Sequence, residues 1–161
     1  MRSLLLPLLF TVWPTATPAC SEIREQNSME LTSEVDHGDV TSILEIDRKS
    51  LSSGQDQSLE GSFTIRNETS EAIPFTFRSG QQYDFFIEGE DGRQYWRWSQ
   101  DRFFTQMIVT KELRQEPWVY RESIPAVDGS GEPLPPGQYV LRARLVAEKE
   151  IENRIGFEIT D

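Results

Sequence analysis

Between positions 75 and 145 apolar residues recur at every second position in short runs, and residues that force a turn cut off each run. Tyr83, Phe85 and Ile87 alternate with polar neighbours or with a second apolar row. Asp91-Gly92 follows, and then a return run through Tyr95, Trp96 and Trp98. Period-two alternation over about 4–8 residues marks a strand with a buried face. Asp-Gly between two such runs signals a tight hairpin, because glycine accepts a positive φ. A chain punctuated in this way has little room for helices.

The same grammar covers most of the chain. Runs at 40–47, 58–67, 73–78, 83–88, 94–98, 103–113, 117–124, 138–145 and 153–159 read as strands. In the second, Leu59, Gly61, Phe63 and Ile65 share one face. Segment 48–57 (RKSLSSGQDQ) reads as a loop, and so does the Gly- and Pro-rich segment 127–137 (VDGSGEPLPPG). Gly92 and Gly137 are expected to take an unusual φ. Strict alternation sends Tyr95 to the face opposite Trp96 and Trp98. The expected fold is all-β: an immunoglobulin-like antiparallel β-sandwich of seven to nine strands, with an up-and-down barrel as the alternative.

The N-terminus obeys different rules. Arg2 precedes an apolar run at 4–13, and PTATPAC follows it. A charged start, a short apolar run and small residues before a cut describe a secretory signal peptide, read here as 1–19. The run is too short to span a bilayer, which takes about 20 apolar residues. Cys20 stands where a bacterial lipoprotein carries its lipidated cysteine, although Thr17 and Pro18 depart from that pattern. Two readings follow: diacylglycerol attached at Cys20, or ordinary cleavage near Ala19 that leaves a free thiol. The placement of the one cysteine at the end of the apolar run favours the first. Segment 20–37 is polar and acidic and reads as a flexible tether, which leaves 38–161 as the folded domain. The expected location is the bacterial cell envelope, lipid-anchored, or otherwise periplasmic or extracellular.

Composition excludes several function classes. A chain of 161 residues suits one domain. A net charge of −11 opposes binding to a phosphate backbone, so no nucleic-acid partner is expected. One Cys and one His (Cys20 and His37) leave no intrachain disulfide and no partners for a triad, a zinc cluster or a Cys–His pair. Asp36, His37 and Asp39 read as solvated linker, and Asp128, Ser130 and Glu132 lack the further oxygens of a calcium loop. Glu88, Glu90 and Asp91 read as solvated acids at a hairpin tip. No catalytic residue, cofactor or metal is expected. Asn67-Glu68-Thr69 is a glycosylation sequon that matters only in eukaryotic secretion.

Four pieces in order resemble the intracellular proteinase inhibitor (BsuPI-like) family: SGQQYDFFI from Ser79, DGRQYWRWS from Asp91, FTQ at Phe104, Thr105 and Gln106, and LPPGQYVLRARL from Leu134. Val127 stands where the family often has Trp, and an export signal is at odds with an intracellular name. The resemblance implies a β-sandwich and a protein partner, with a protease as the implied class. The chain is expected to be a binding module and no enzyme; the alternative is a structural or assembly module of the envelope without inhibitory activity.

The densest aromatic cluster is Trp96, Trp98, Phe103 and Phe104, which serves either as core or as a binding platform. Segments 79–82 and 128–136 serve either as connections or as loops entering a protease cleft, the latter stiffened by Pro133, Pro135 and Pro136. Trp96, Trp98, Phe103, Pro135 and Pro136 are the candidate partner-binding residues, and Cys20 is the candidate lipidation site.

Overall fold

The computed structural model describes residues 31–54 and 57–161. The signal peptide, Cys20 and the tether up to residue 30 lie outside the described residues. What is described is all-β. The strands are β1 (Thr32–Asp36), β2 (Val40–Ile46), β3 (Ser50–Ser52), β4 (Ser58–Asn67), β5 (Ile73–Phe77), β6 (Tyr83–Gly89), β7 (Gln94–Arg97), β8 (Val109–Leu113), β9 (Trp118–Pro125), β10 (Gly137–Leu145) and β11 (Ile151–Thr160). One sheet has the order β1-β2-β4-β9, a second β3-β11-β10-β6-β7, and β5 pairs with β8.

The two large sheets form a sandwich around one apolar cluster. Leu44, Phe63, Ile65 and Ile124 of the first sheet pack with Phe85, Ile87, Leu141 and Phe157 of the second. The rings of Phe63 and Phe85 meet edge to face, with centroids 6.4 Å apart. Each such buried side chain contributes about 1.5–3 kcal/mol of transfer free energy. The β5–β8 pair closes one side: Phe75 and Phe77 are buried and lie 5.5 and 6.1 Å from the Trp118 ring at the start of β9. Phe86 points the other way from Phe85 yet is 2% exposed. The Arg142 guanidinium covers it at 3.9 Å, and those of Arg97 and Arg144 lie at 5.3 Å. Glu88 holds Arg142 in place at 2.7 Å. Long basic side chains thus supply the cover that a third layer would otherwise give.

Several expectations need correction. Eleven strands are described rather than seven to nine, and not all pairings are antiparallel: Leu51, inside the expected 48–57 loop, is buried, and β3 runs parallel to β11. Among the described residues, Thr32–Asp36, inside the expected 20–37 tether, already pair as a strand. There β1 pairs with β2 along its whole length. Asn153 of β11 fixes it from the opposite sheet, donating to the Ser33 carbonyl at 2.9 Å and accepting from the Ser33 hydroxyl at 2.7 Å. Backbone pairing and one buried amide do there what apolar side chains do elsewhere. Strand 103–113 is shortened to β8, so 103–108 is irregular backbone. A β-bulge between Ile87 and Glu88 breaks the alternation of β7. Tyr95 therefore packs against the same core as Trp96 and Trp98, and its ring meets Tyr139 edge to face at 5.6 Å. Gly92 takes the expected positive φ of 79°, but in the 127–137 turn the positive φ falls on Gly131 and not on Gly137.

Asn67 of the sequon is 6% exposed. Its amide donates to the carbonyls of Glu71 and Leu113, and its side-chain oxygen accepts from the Thr69 amide and hydroxyl. It is a turn-holding residue.

Candidate partner-binding site

The site grows out of one buried carboxylate. Asp84, in β6, has no exposed surface. Its oxygens accept from Gln81 Nε2 at 2.9 Å, Arg97 Nε at 2.6 Å, the Ser99 hydroxyl at 2.7 Å and the Ser99 backbone N–H at 3.1 Å. These donors come from the turn before β6, from β7 and from the turn after β7. A charge buried this deeply is tolerated because four donors replace its water. The result is that two turns far apart in sequence are tied together at one end of β6.

On this foundation an aromatic ladder runs outward from the core. Tyr83 stacks on Tyr120 of β9 with centroids 4.4 Å apart and meets the Trp98 ring at a tilt, 4.6 Å away. Trp98 in turn meets Phe104 at 5.9 Å. The Arg102 guanidinium covers the Trp98 ring at 4.0 Å, and Arg102 Nε donates to the Trp98 carbonyl at 3.2 Å. The Tyr83 hydroxyl donates a short hydrogen bond to the Glu122 carboxylate. Burial, followed by that contact with Glu122, raises the Tyr83 pKa. Burial alone pushes Tyr120 up to about 12.

Segment 103–108 lies at the end of this ladder. Its middle is pinned: Gly80 donates its backbone N–H to the Thr105 carbonyl at 2.9 Å. The approach is close: a Cβ at position 80 would stand 2.7 Å from Thr105 Oγ1, so the Thr105 side chain would have to turn away. Phe104 turns inward onto Trp98. Phe103 does the opposite and is 102% exposed; Ile108 is 73% and Met107 59% exposed. Three large apolar side chains thus face solvent on a segment held by its neighbours. Single exposed apolar residues need no explanation; three of them within six residues are a denser grouping than that.

The candidate residues divide into two groups. Trp98 and Phe103 belong to the Tyr83 end of β6. Trp96 is half-buried and lines a hollow of about 280 Å³ with Gln100, Asp101 and the 127–131 turn. Gln100 Nε2 donates to the Gly129 carbonyl at 2.8 Å and joins that turn to the one after β7. Pro135 and Pro136 are exposed at the other end of β6, where Tyr139 pairs with Gly89. They border a second hollow, of about 340 Å³, with Tyr95 and Asp91. Seven residues of strand, about 20 Å, separate the two ends. Met107 and Ile108 were absent from the sequence-based set, because alternation in FFTQMI favours a strand that would bury half of it.

Of the loops considered for cleft entry, 79–82 is the support for 103–108. The 128–136 loop is held by Asp128, whose Oδ1 accepts from Ser130 N, Ser130 Oγ and Glu132 N; the Ser130 contacts lead in keeping its pKa low. The Tyr139 hydroxyl donates to the Pro135 carbonyl at 2.7 Å. The polar groups at these positions serve the backbone. Among the described residues no group of three His, Cys, Asp or Glu side chains is placed to hold a metal.

Two predictions follow from this geometry. Replacing Asp84 with Ala should cost about 3 kcal/mol in chemical denaturation, since it strands buried donors. It should also speed amide exchange at Ser99 and Thr105; unchanged exchange would separate the carboxylate from the segment. The second concerns alkaline pH. Unfolded tyrosine ionises near its ordinary value of 10.0, whereas folded Tyr83 and Tyr120 keep their protons to higher pH. Above pH 10.0 the unfolded chain therefore binds fewer protons, so stability is level below that value and falls as pH rises toward about 12. Tyr120→Phe should make the fall in denaturation midpoint shallower.

Comparison with known proteins adds one finding. No curated protein matches the chain. Among solved structures, a β-glucosidase from Erythrobacter marinus is 19% identical over 80% of this chain, with a TM-score of 0.39. The C-terminal domain of wzt is 15% identical over 81% of this chain and 78% of its own, with a TM-score of 0.46. A β-glucosidase from Listeria innocua in complex with isofagomine is 12% identical over 74% of this chain, with a TM-score of 0.41. The chain spans 16% of the length of either β-glucosidase. The profile of a family described as intracellular proteinase inhibitor (BsuPI) matches residues 44–150, about two thirds of the sequence and the part that holds the Asp84 network, the aromatic ladder and the exposed segment. The chain belongs to the intracellular proteinase inhibitor (BsuPI) family.

Proposed function

We propose that this protein is an exported, membrane-tethered binding module that inhibits a proteinase through its 103–108 edge. The observation that carries the reading is the exposure of Phe103, Met107 and Ile108 on a segment whose centre is fixed to the fold. Large apolar side chains at a protein surface gain most of their binding energy when a partner desolvates them. A segment already held in place loses less conformational entropy on binding than a free one. Family membership supplies the class of partner. Trp98 backs the edge from beneath, and Trp96 lines the hollow it shares with Gln100 and Asp101. The protein acts by contact and carries no reaction of its own.

Export and anchoring complete the reading. The apolar run at 4–13 directs the chain out of the cytoplasm, and a diacylglyceryl group on Cys20 holds the domain at the envelope surface. A single acyl chain binds membranes marginally, so the two chains of a diacylglyceryl group suit stable retention.

The full chain should slow at least one bacterial endopeptidase at stoichiometric concentration, read from initial rates on a chromogenic peptide. A broad panel left untouched would sink the inhibitory reading and favour a structural role in the envelope. In cells grown with labelled palmitate, the wild type should carry label and Cys20→Ala should not. Equal labelling, or none in the wild type, removes the anchor.

A further inference from the structure

We infer that Phe103 is the residue that enters the target's primary specificity pocket, and that the target is a proteinase whose pocket accepts a large apolar side chain. This rests on the inhibitory reading above and narrows it to one side chain and one class of enzyme.

Phe103 differs from its exposed neighbours in what flanks it. On its N-terminal side Arg102 is fixed three times: its backbone N–H donates to the Ser99 carbonyl at 3.2 Å, its Nε to the Trp98 carbonyl at 3.2 Å, and its guanidinium lies 4.0 Å from the Trp98 ring centroid. On its C-terminal side the Phe104 ring packs on the same indole at 5.9 Å, and the Thr105 carbonyl is held by Gly80 at 2.9 Å. The side chain between them is 102% exposed. Both flanks of Phe103 are therefore anchored to one half-buried tryptophan while its ring projects freely. Met107 and Ile108 have a strand on one side only, where β8 begins.

This arrangement suits insertion into a cleft. An aromatic ring with two side-chain torsions gives a large contact area for little lost entropy, and the fixed flanks set its direction in advance. The charges beside it, Asp101 and Arg102, are opposite in sign. A pocket that selects a cation or an anion finds no match in the phenyl ring, whereas an apolar pocket does. Pockets of that kind read substrates through one large side chain next to the reacting bond, and Phe103 offers the same feature on a folded support.

The test compares inhibition constants of the full chain against subtilisin, chymotrypsin, elastase and trypsin. Wild type should favour subtilisin and chymotrypsin. Phe103→Ala should raise the inhibition constant by about 30-fold or more, the scale of a truncated aromatic anchor, whereas Met107→Ala should change it by about threefold or less. Phe103→Lys should move the preference toward trypsin by about 100-fold, because an acidic pocket then gains a partner. Phe103 touches nothing in the fold, so the variants are expected to keep the wild-type denaturation midpoint. If wild type inhibits an endopeptidase of the broader panel but neither subtilisin nor chymotrypsin, only this inference is overturned; if nothing in that panel is inhibited, the inhibitory reading fails and this inference with it. If wild type inhibits and both Phe103 variants match it, only the inference is overturned. Loss of self-association or of binding to anionic vesicles in Phe103→Ala, with inhibition unchanged, would assign the ring to a second copy or a lipid surface and overturn it as well.

Discussion

The Asp84 carboxylate is the point on which the geometry of the exposed edge depends. It has no exposed surface, and it survives there because Gln81, Arg97 and Ser99 direct four donors at it. Satisfying that charge requires the turn before β6 and the turn after β7 to occupy particular places. Gly80 in the first turn then pins Thr105, and Trp98 in the second supports Phe104 and Arg102. The position of a surface segment is thereby tied to the hydrogen-bonding needs of a single buried carboxylate.

The aromatic ladder answers a different problem, which is how a small sandwich carries rigidity from its core to its rim. Phe63 and Phe85 lie between the sheets, Tyr83 and Tyr120 at their margin, and Trp98 and Phe104 outside it. Each ring packs on the next, so the outermost has little freedom although it is only half-buried. Phe103 is the point at which this order stops. An exposed phenyl group contributes nothing to folding and adds to the apolar surface left in water.

Much of the fold was legible in residues 83–98 and 138–159, where period two, Asp91-Gly92 and the proline-rich turn before Tyr139 all point the same way. The residues that carried the family resemblance turn out to be the supports of the site: Gly80, Gln81, Asp84, Arg97, Ser99 and Thr105 make the hydrogen bonds that hold the two turns and the segment together. The readings that failed share one cause. FFTQMI has strand propensity but no partner strand at hand, so only Val109 and the residues after it pair, with β5. TSEVD has no apolar face, yet it pairs because the free edge of β2 and the Asn153 amide are available. LSSG reads as a loop, yet Leu51 finds the edge of β11. Local sequence reports what a segment can do; the neighbour that decides whether it does so is distant in the chain.

Three properties follow from the sequence by itself. Alternation and turn residues make the chain all-β, because each run has one face to bury and a turn at its end. One His and one Cys leave no partners for a His/Cys zinc cluster or a Cys–His pair. The ordered motifs place the chain in its family. Tertiary structure alone decided which apolar residues stay in water, since exposure depends on which strand edges and rings arrive from elsewhere. Phe103 and Phe104 are adjacent and identical in the sequence, yet one packs on Trp98 and the other faces solvent. The backbone can turn only one of two neighbours toward the indole.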